Sequence, residues 1–232
     1  MALYMNNTKV KSVYWNGAKA KKVYFNNVLV LSGEFAFTYT GACSVEGDLG
    51  GDFVIRFTTS GTLKITDAGN AASLDVFLAG GGGGGGAAYY TKGRMSGGGG
   101  AGGGYTAAAS GVTLSVGTAY TITVGAGGAA KTAGGQTSAF SRTAKGGNTG
   151  GTASDSQHGV VGGKGQGTTT REFAASNGKL YASGGAGGTN GSTTPGTGAA
   201  NTGNGGDGGY SNATNTAGGA GGSGIVCIRN HR

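Results

Sequence analysis

The sequence predicts an all-β protein completed by packed polyglycine II helices, with no α-helix. Two observations carry that expectation. Apolar residues alternate in short runs, as in Phe53-Val54-Ile55-Arg56-Phe57, and nowhere recur at amphipathic helical spacing. Glycine supplies 57 of 232 residues, 49 of them beyond residue 79, against a usual share of about 7%. The single proline, Pro195, excludes collagen, which needs a strict Gly-X-Y period rich in proline.

Residues 1–33 contain a ten-residue repeat: Tyr4-Met5-Asn6-Asn7, Tyr14-Trp15-Asn16-Gly17 and Tyr24-Phe25-Asn26-Asn27 align without a gap. Asn-Gly and Asn-Asn accept the positive φ of a two-residue hairpin turn. A four-stranded antiparallel meander is expected, with Trp15 facing Ala18 and Phe25 facing Val28. Both of its faces are then substantially apolar, whereas a free-standing antiparallel sheet keeps one face polar. Tyr14, Trp15, Val23, Tyr24, Phe25 and Leu29 are therefore candidates for attachment or self-association. The alternative is cover by the next region and by lysine stems.

Residues 34–79 alternate at Phe35/Phe37/Tyr39, Phe53/Ile55/Phe57, Leu63/Ile65 and Leu74/Val76/Leu78, punctuated by glycines. That pattern is expected to form a small antiparallel β domain.

Residues 80–232 are expected to form a third domain. Glycine-dense runs such as Gly80–Gly86, Gly97–Gly104 and Gly218–Gly224 return between segments richer in Ser, Thr, Asn and aromatics. Flexible linkers do not recur so regularly, nor do they hold apolar strands such as Ile225–Ile228. A three-residue left-handed helix has no internal hydrogen bonds, so its buried N–H and C=O groups must find lateral partners. Glycine helices approach closely enough to supply them, and the intervening segments become loops at the ends of the stack.

Leu74-Asp75-Val76-Phe77-Leu78-Ala79 leading into seven glycines, Tyr120–Gly128 and Gly222–Arg229 resemble the glycine-rich domains of phage tail and tail-fibre proteins, including the tip adhesins of T-even-like phages. The opening Lys-Val-Tyr-Phe-Asn-Asn type of hairpin is similar to openings of phage tail and baseplate proteins. Glycine-rich extracellular domains of some animal receptor kinases are also similar but lack that opening. The resemblance implies a virion tail protein, made in the host cytoplasm without a signal peptide. It would attach to other tail or baseplate proteins through residues 1–33 and recognise a bacterial surface glycan or outer-surface protein. A homotrimer, or one copy capping a trimer, is the implied assembly. A purely structural brace or spacer is the alternative.

Receptor-binding candidates are aromatics and bases between the glycine runs: Tyr89, Tyr90, Lys92, Arg94, Phe140, Arg142, Lys145, His158, Arg171, Phe173, Lys179, Tyr181 and Tyr210. Aromatic faces pack on apolar sugar faces, and Arg or Lys pairs with phosphate or carboxylate. Packing against the glycine stack is the competing role for each aromatic, and Glu172 reads as an ordinary solvated charge. The net charge is +8, which favours an acidic partner at long range. Nucleic acid is not expected, because clustered RGG repeats are missing.

Enzyme chemistry is not expected either. Gly162–Gly167 carries little weight as a nucleotide motif in so glycine-rich a chain, and Ser154-Asp155-Ser156-Gln157-His158 merely sets triad residue types side by side. Cys43 and Cys227 have no zinc-like spacing, so no metal or cofactor is expected. The two cysteines are either buried free thiols or one disulfide. No run approaches the ~18 apolar residues of a membrane span.

Overall fold

A computed structural model describes residues 33–69, 71, 73–91, 94–153, 169–188, 194–210 and 215–230, preceded by the backbone of three short hairpins. The fold is all-β, built from antiparallel sheets, with one 3-10 turn at Glu172–Ala174 and no α-helix among the described residues.

Eight strands make a sandwich: β1 (Ala36–Tyr39), β2 (Cys43–Gly47), β3 (Phe53–Phe57), β4 (Gly61–Asp67), β5 (Leu74–Ala79), β6 (Thr106–Val112), β7 (Ala119–Ile122) and β8 (Ile225–Asn230). One sheet runs in the order β6-β5-β8-β3-β2 and the other β7-β4-β1. Alternation sends Phe53, Ile55, Phe57, Leu63, Ile65, Leu74, Val76, Leu78, Ile122, Val226 and Ile228 into a shared core. Each large side chain buried there contributes about 1.5–3 kcal/mol. Phe77, Ala79, Ile225 and Cys227 point the other way, into a second core closed by Tyr181 and Ala182. Strands β5 and β8 are thus apolar on both faces, which is why they read as continuous apolar runs.

The boundary expected at residues 79/80 does not separate two bodies. Strands β6, β7 and β8 come from the glycine-rich part, and β8 lies between β5 and β3 in the larger sheet. The strands of residues 34–79 leave β5 and β3 without their common neighbour until the end of the chain returns to fill the gap.

In the N-terminal region the hairpins Tyr4–Met5/Thr8–Lys9, Tyr14–Trp15/Ala18–Lys19 and Val23–Phe25/Val28–Leu31 pair as three separate two-stranded units. The expected pairs Trp15↔Ala18 and Phe25↔Val28 are present. Residues 10–13 and 20–22, which would join the hairpins into a meander, lie outside the described residues, as do the attachment side chains.

Beyond Ala79 the ladder changes period without losing register. Ala79 pairs with Thr106 and Ile225, and the chain of β5 continues as residues 80–88. Here Gly80, Gly83 and Gly86 donate to the carbonyls of Tyr105, Gly102 and Gly99. Gly81 and Gly84 donate to Gly135 and Thr132, and Gly82, Gly85 and Ala88 to Gly222, Gly219 and Thr216, all at 2.8–3.0 Å. Successive N–H groups therefore point at three different neighbours in turn, the repeat of a helix with three residues per turn.

The carbonyls do the same toward three further segments. Gly81, Gly84 and Ala87 accept from Gly147, Gly150 and Ala153; Gly82 and Gly85 accept from Gly128 and Lys131; Gly83 and Gly86 accept from Gly206 and Gly209. Residues 80–88 are accordingly ringed by six segments: 97–105, 203–209, 216–224, 125–131, 132–135 and 145–153. Each ring member bonds to the next, through Gly98→Gly209, Gly219→Asp207, Gly221→Gly128, Gly135→Ala126, Gly134→Gly147 and Gly99→Gly151. Segments 182–188 and 194–199 add to the outside of this hexagonal array through Gly185→Ala101 and Gly198→Ala220.

Glycine is needed here for its missing Cβ, not for its freedom of φ. Among the described glycines, left-handed φ occurs only at Gly47, Gly69, Gly111, Gly117 and Gly203. A Cβ on Gly82 or Gly84 would meet the carbonyl oxygen of Asn204 or Ala129 far inside 3.0 Å.

Candidate functional site

The array has two ends, and the hydrogen-bond levels assign each loop to one of them. Gly80 adjoins the sandwich, and Ala88 stands at the opposite end of the central segment. Level with that far end are Gly98, Gly99, Lys131, Ala153, Gly188, Gly209 and Thr216, bonded to residues 85–88 or to each other. The chain therefore leaves the array five times at this distal end: at 88–97, 131–132, 153, 188 and 209–216.

Tyr89 and Tyr90 are half-buried here, on the hairpin Tyr89–Thr91/Arg94–Ser96. The Tyr90 backbone N–H donates to Asn215 Oδ1, so this hairpin is tied to the start of the segment that carries Thr216. Tyr210 is half-buried beside it, and its carbonyl accepts from Thr216 Oγ1. Lys131, exposed and at φ 63°, projects from the turn between two array segments. Lys92, His158 and the side chain of Arg94 lie outside the described residues.

The other candidates sit at the sandwich end, so the expected set divides into two groups. Phe140 occupies the turn between Thr137–Ala139 and Arg142–Ala144; it is 9% exposed and packs edge-on against Tyr120. Tyr181 is 3% exposed, in the second core beside Phe77. Both rings thus take the packing role and not the presenting one. Arg142 donates back to the Phe140 carbonyl. Lys145, Arg171 and Lys179 are exposed, and Arg171 reaches the Gly178 carbonyl. Phe173 is half-buried between Phe77 and Arg229.

Glu172 is not a solvated charge. It is 4% exposed and takes Arg56 Nε and Nη2 on its two oxygens at 2.8 and 2.7 Å. Glu46 holds the remaining end of the same guanidinium, and Tyr181 donates to Glu172 at 3.3 Å. Burial alone would raise the Glu172 carboxyl, but the hydrogen bonds and charge of Arg56 outweigh it and hold it below its ordinary value. Glu172 in turn raises Arg56. Burial, then neighbouring Glu172, pushes the Cys227 thiol well up, so it stays protonated and is no nucleophile. Both cysteines are free, and Cys43 is exposed rather than buried.

Several of these residues could not be picked out from sequence. Arg56 and Glu172 are 116 positions apart, and nothing local announces their meeting. Asn204, Asp207 and Tyr210 did carry a signal: they stand every third residue in a glycine run. Asn204 Oδ1 and Asp207 Oδ1 accept from the backbone N–H groups of Ser183 and Ala186 and fasten the outer segment.

No group of three or more potential metal ligands occurs among the described residues, and no described helix is long and apolar enough to cross a membrane. A sandwich whose strands run on into a glycine array defines a class of glycine-rich β protein. The profile of the family described as a glycine-rich domain matches residues 58–231, and the chain belongs to that family. No curated protein matches the chain significantly.

Proposed function

We propose that this chain is a bacteriophage tail protein that recognises a bacterial surface through the distal loops, with the array acting as packed polyglycine II helices that hold them rigid. The observation that supports it most is the gathering of five chain connections at one end of a backbone-bonded array. Rigid scaffold and adaptable loops are the division of labour found in antibody combining sites. The resemblance to phage tail proteins supplies the partner class: a surface glycan or outer-surface protein at the distal end, and tail or baseplate proteins at residues 1–33.

A structural brace is the second reading, favoured by the unbroken register from strands into array, which makes a stiff strut. Adsorption separates the two. Purified full chain is tested for binding to intact host cells beside a Tyr89→Ala/Tyr90→Ala variant and a variant whose 92–93 tip is lengthened by a Gly-Ser insert. The receptor reading expects bound protein to fall while thermal unfolding is unchanged. Equal adsorption by all three, with normal incorporation into tails, would leave the brace.

A further inference from the structure

The described residues cover the outer face of the larger sheet only in part. Residues 170–182 lie over β3, β5 and β8 through Glu172, Phe173 and Tyr181. Beside them, toward β6, is a groove of about 330 Å³ lined by Asp75, Ala108, Ser110, Phe173, Ala174 and Arg229. That volume is at the small end of ligand pockets, ~300–1,000 Å³. Its floor is small and open: Ala107 joins the inner core, so alternation turns the exposed Ala108 and Ser110 outward.

Arg229 is positioned in this groove with unusual care. Its Nη2 donates to Asp75 Oδ2 at 2.8 Å, and its guanidinium carbon lies 4.4 Å from the centroid of the Phe173 ring. Carboxylate and aromatic shelf together fix the guanidinium plane. Yet Nε is buried and has no hydrogen-bond partner among the described residues. The side chain as a whole keeps 22% of its surface exposed, so with Nε shut away the donors it offers to the groove are those on its Nη atoms. The shelf itself is strained. Phe173 and Ala174 are consecutive non-glycine residues at φ 53° and 55°, a conformation that costs about 1–3 kcal/mol each and collects at ligand sites.

The geometry points to a binding site for a sugar acid in this groove. The carboxylate pairs with the outer N–H groups of Arg229, ring hydroxyls donate to Asp75 and Ser110, and an apolar sugar face rests on Ala108 and Ala174. A fixed guanidinium is the side chain suited to planar recognition of a carboxylate. Asp75 disfavours a bare anion but accepts from hydroxyls, which selects an acid that also carries them. The groove lies at the sandwich end, so its fate is independent of the distal loops.

The test is ligand-observed NMR on the full chain with glucuronate, glucose and N-acetylalanine as probes. Glucuronate is expected to bind, with glucose at least about tenfold weaker for lack of the charged pair. Arg229→Gln and Ala108→Tyr should each abolish binding; Ala108 is exposed on an edge strand, so its variant folds even if the first does not. The proposal is overturned by no glucuronate binding, by equal binding of glucose, or by retention in the Ala108→Tyr protein. Preference for N-acetylalanine overturns it too, and assigns the groove to a peptide terminus.

Discussion

The sandwich and the glycine array share strands and register but are held together by opposite means. In the sandwich, side chains interdigitate and the backbone bonds only within each sheet. In the array there are almost no side chains, and the backbone bonds in up to six directions. The comparison shows that a core needs close approach and satisfied polar groups, and that apolar side chains are one way of reaching both. It also shows the array's weakness: where the sandwich can relax around a small void, positions such as Gly82, Gly84 and Gly85 cannot admit one extra carbon.

The largest effect should therefore come from the smallest substitution. Gly84→Ala adds a Cβ aimed at the Ala129 carbonyl oxygen, far inside 3.0 Å. Relief requires moving backbone that is bonded on every side. Inserting atoms into a well-packed core ordinarily costs about 1–3 kcal/mol, and with no side chain to yield the loss should be greater. Ile55→Ala, in the sandwich core, is the comparator at about 2–5 kcal/mol. Denaturant unfolding of the two variants ranks them; a Gly84→Ala protein as stable as the parent would mean that the array is loosely held.

Next in size is the bond between the covering segment and the sheet. Arg56→Ala leaves Glu172 buried beside Tyr181 and Cys227 with no cation, and breaking such a pair costs about 3–5 kcal/mol. In the intact protein the Glu172 carboxyl is lowered. Its contribution to stability is complete above the ordinary carboxylate range and is lost as pH falls through the lowered folded value. In Arg56→Ala burial, the largest influence on the group, is opposed only by the hydrogen bonds of Cys227 and Tyr181, so the carboxyl should rise, and stability should then increase as pH falls. Melting curves across the acid range for both proteins check the reversal.

A calorimetric difference is smaller but bears directly on the comparison. Exposing apolar surface raises the heat capacity of unfolding, and exposing polar surface lowers it. A chain with so much of its interior made of peptide groups should show a heat-capacity change per residue below the common ~12–15 cal/mol/K. A value within that range would mean that the array adds little buried polar surface.

These features were not equally legible in the sequence. The all-β class, the hairpin pairs Trp15↔Ala18 and Phe25↔Val28, and the core alternation of β3 to β5 follow from local pattern. The placement of β8 does not. Ile225–Ile228 reads as a strand, but only tertiary closure says that it inserts between β3 and β5. For the same reason residues 34–79 looked like a domain of their own. Phe140 and Tyr181 illustrate the limit for sites: an aromatic between glycine runs reads the same whether it faces solvent or a core. Glu172 was misread because its partner is remote in sequence and its neighbours, Arg171 and Phe173, suggest an exposed loop.

The smallest expected effect is also the sharpest test of the array. In residues 145–153, Gly147, Gly150 and Ala153 are buried every third position, while Asn148 and Thr149 are exposed. A Cβ at Gly150 would meet the Gly99 carbonyl oxygen and the Gly86 nitrogen, whereas the Thr149 side chain already points outward. Thr149→Ala should then change stability by no more than about 0.5 kcal/mol, and Gly150→Ala, one residue away, by several times that. Stability measured for alanine substitutions from residue 147 onward should rise and fall with a period of three, whereas Gly146, whose Cβ would meet the Gly134 carbonyl oxygen, is blocked like Gly147. A β-strand would give a period of two, because its side chains alternate between faces. A flexible linker would give no period at all, since alanine in place of glycine there acts mainly on the unfolded chain. The silence of Thr149 carries as much weight as the damage at Gly150, because only a three-residue helix bonded on its inner sides predicts both.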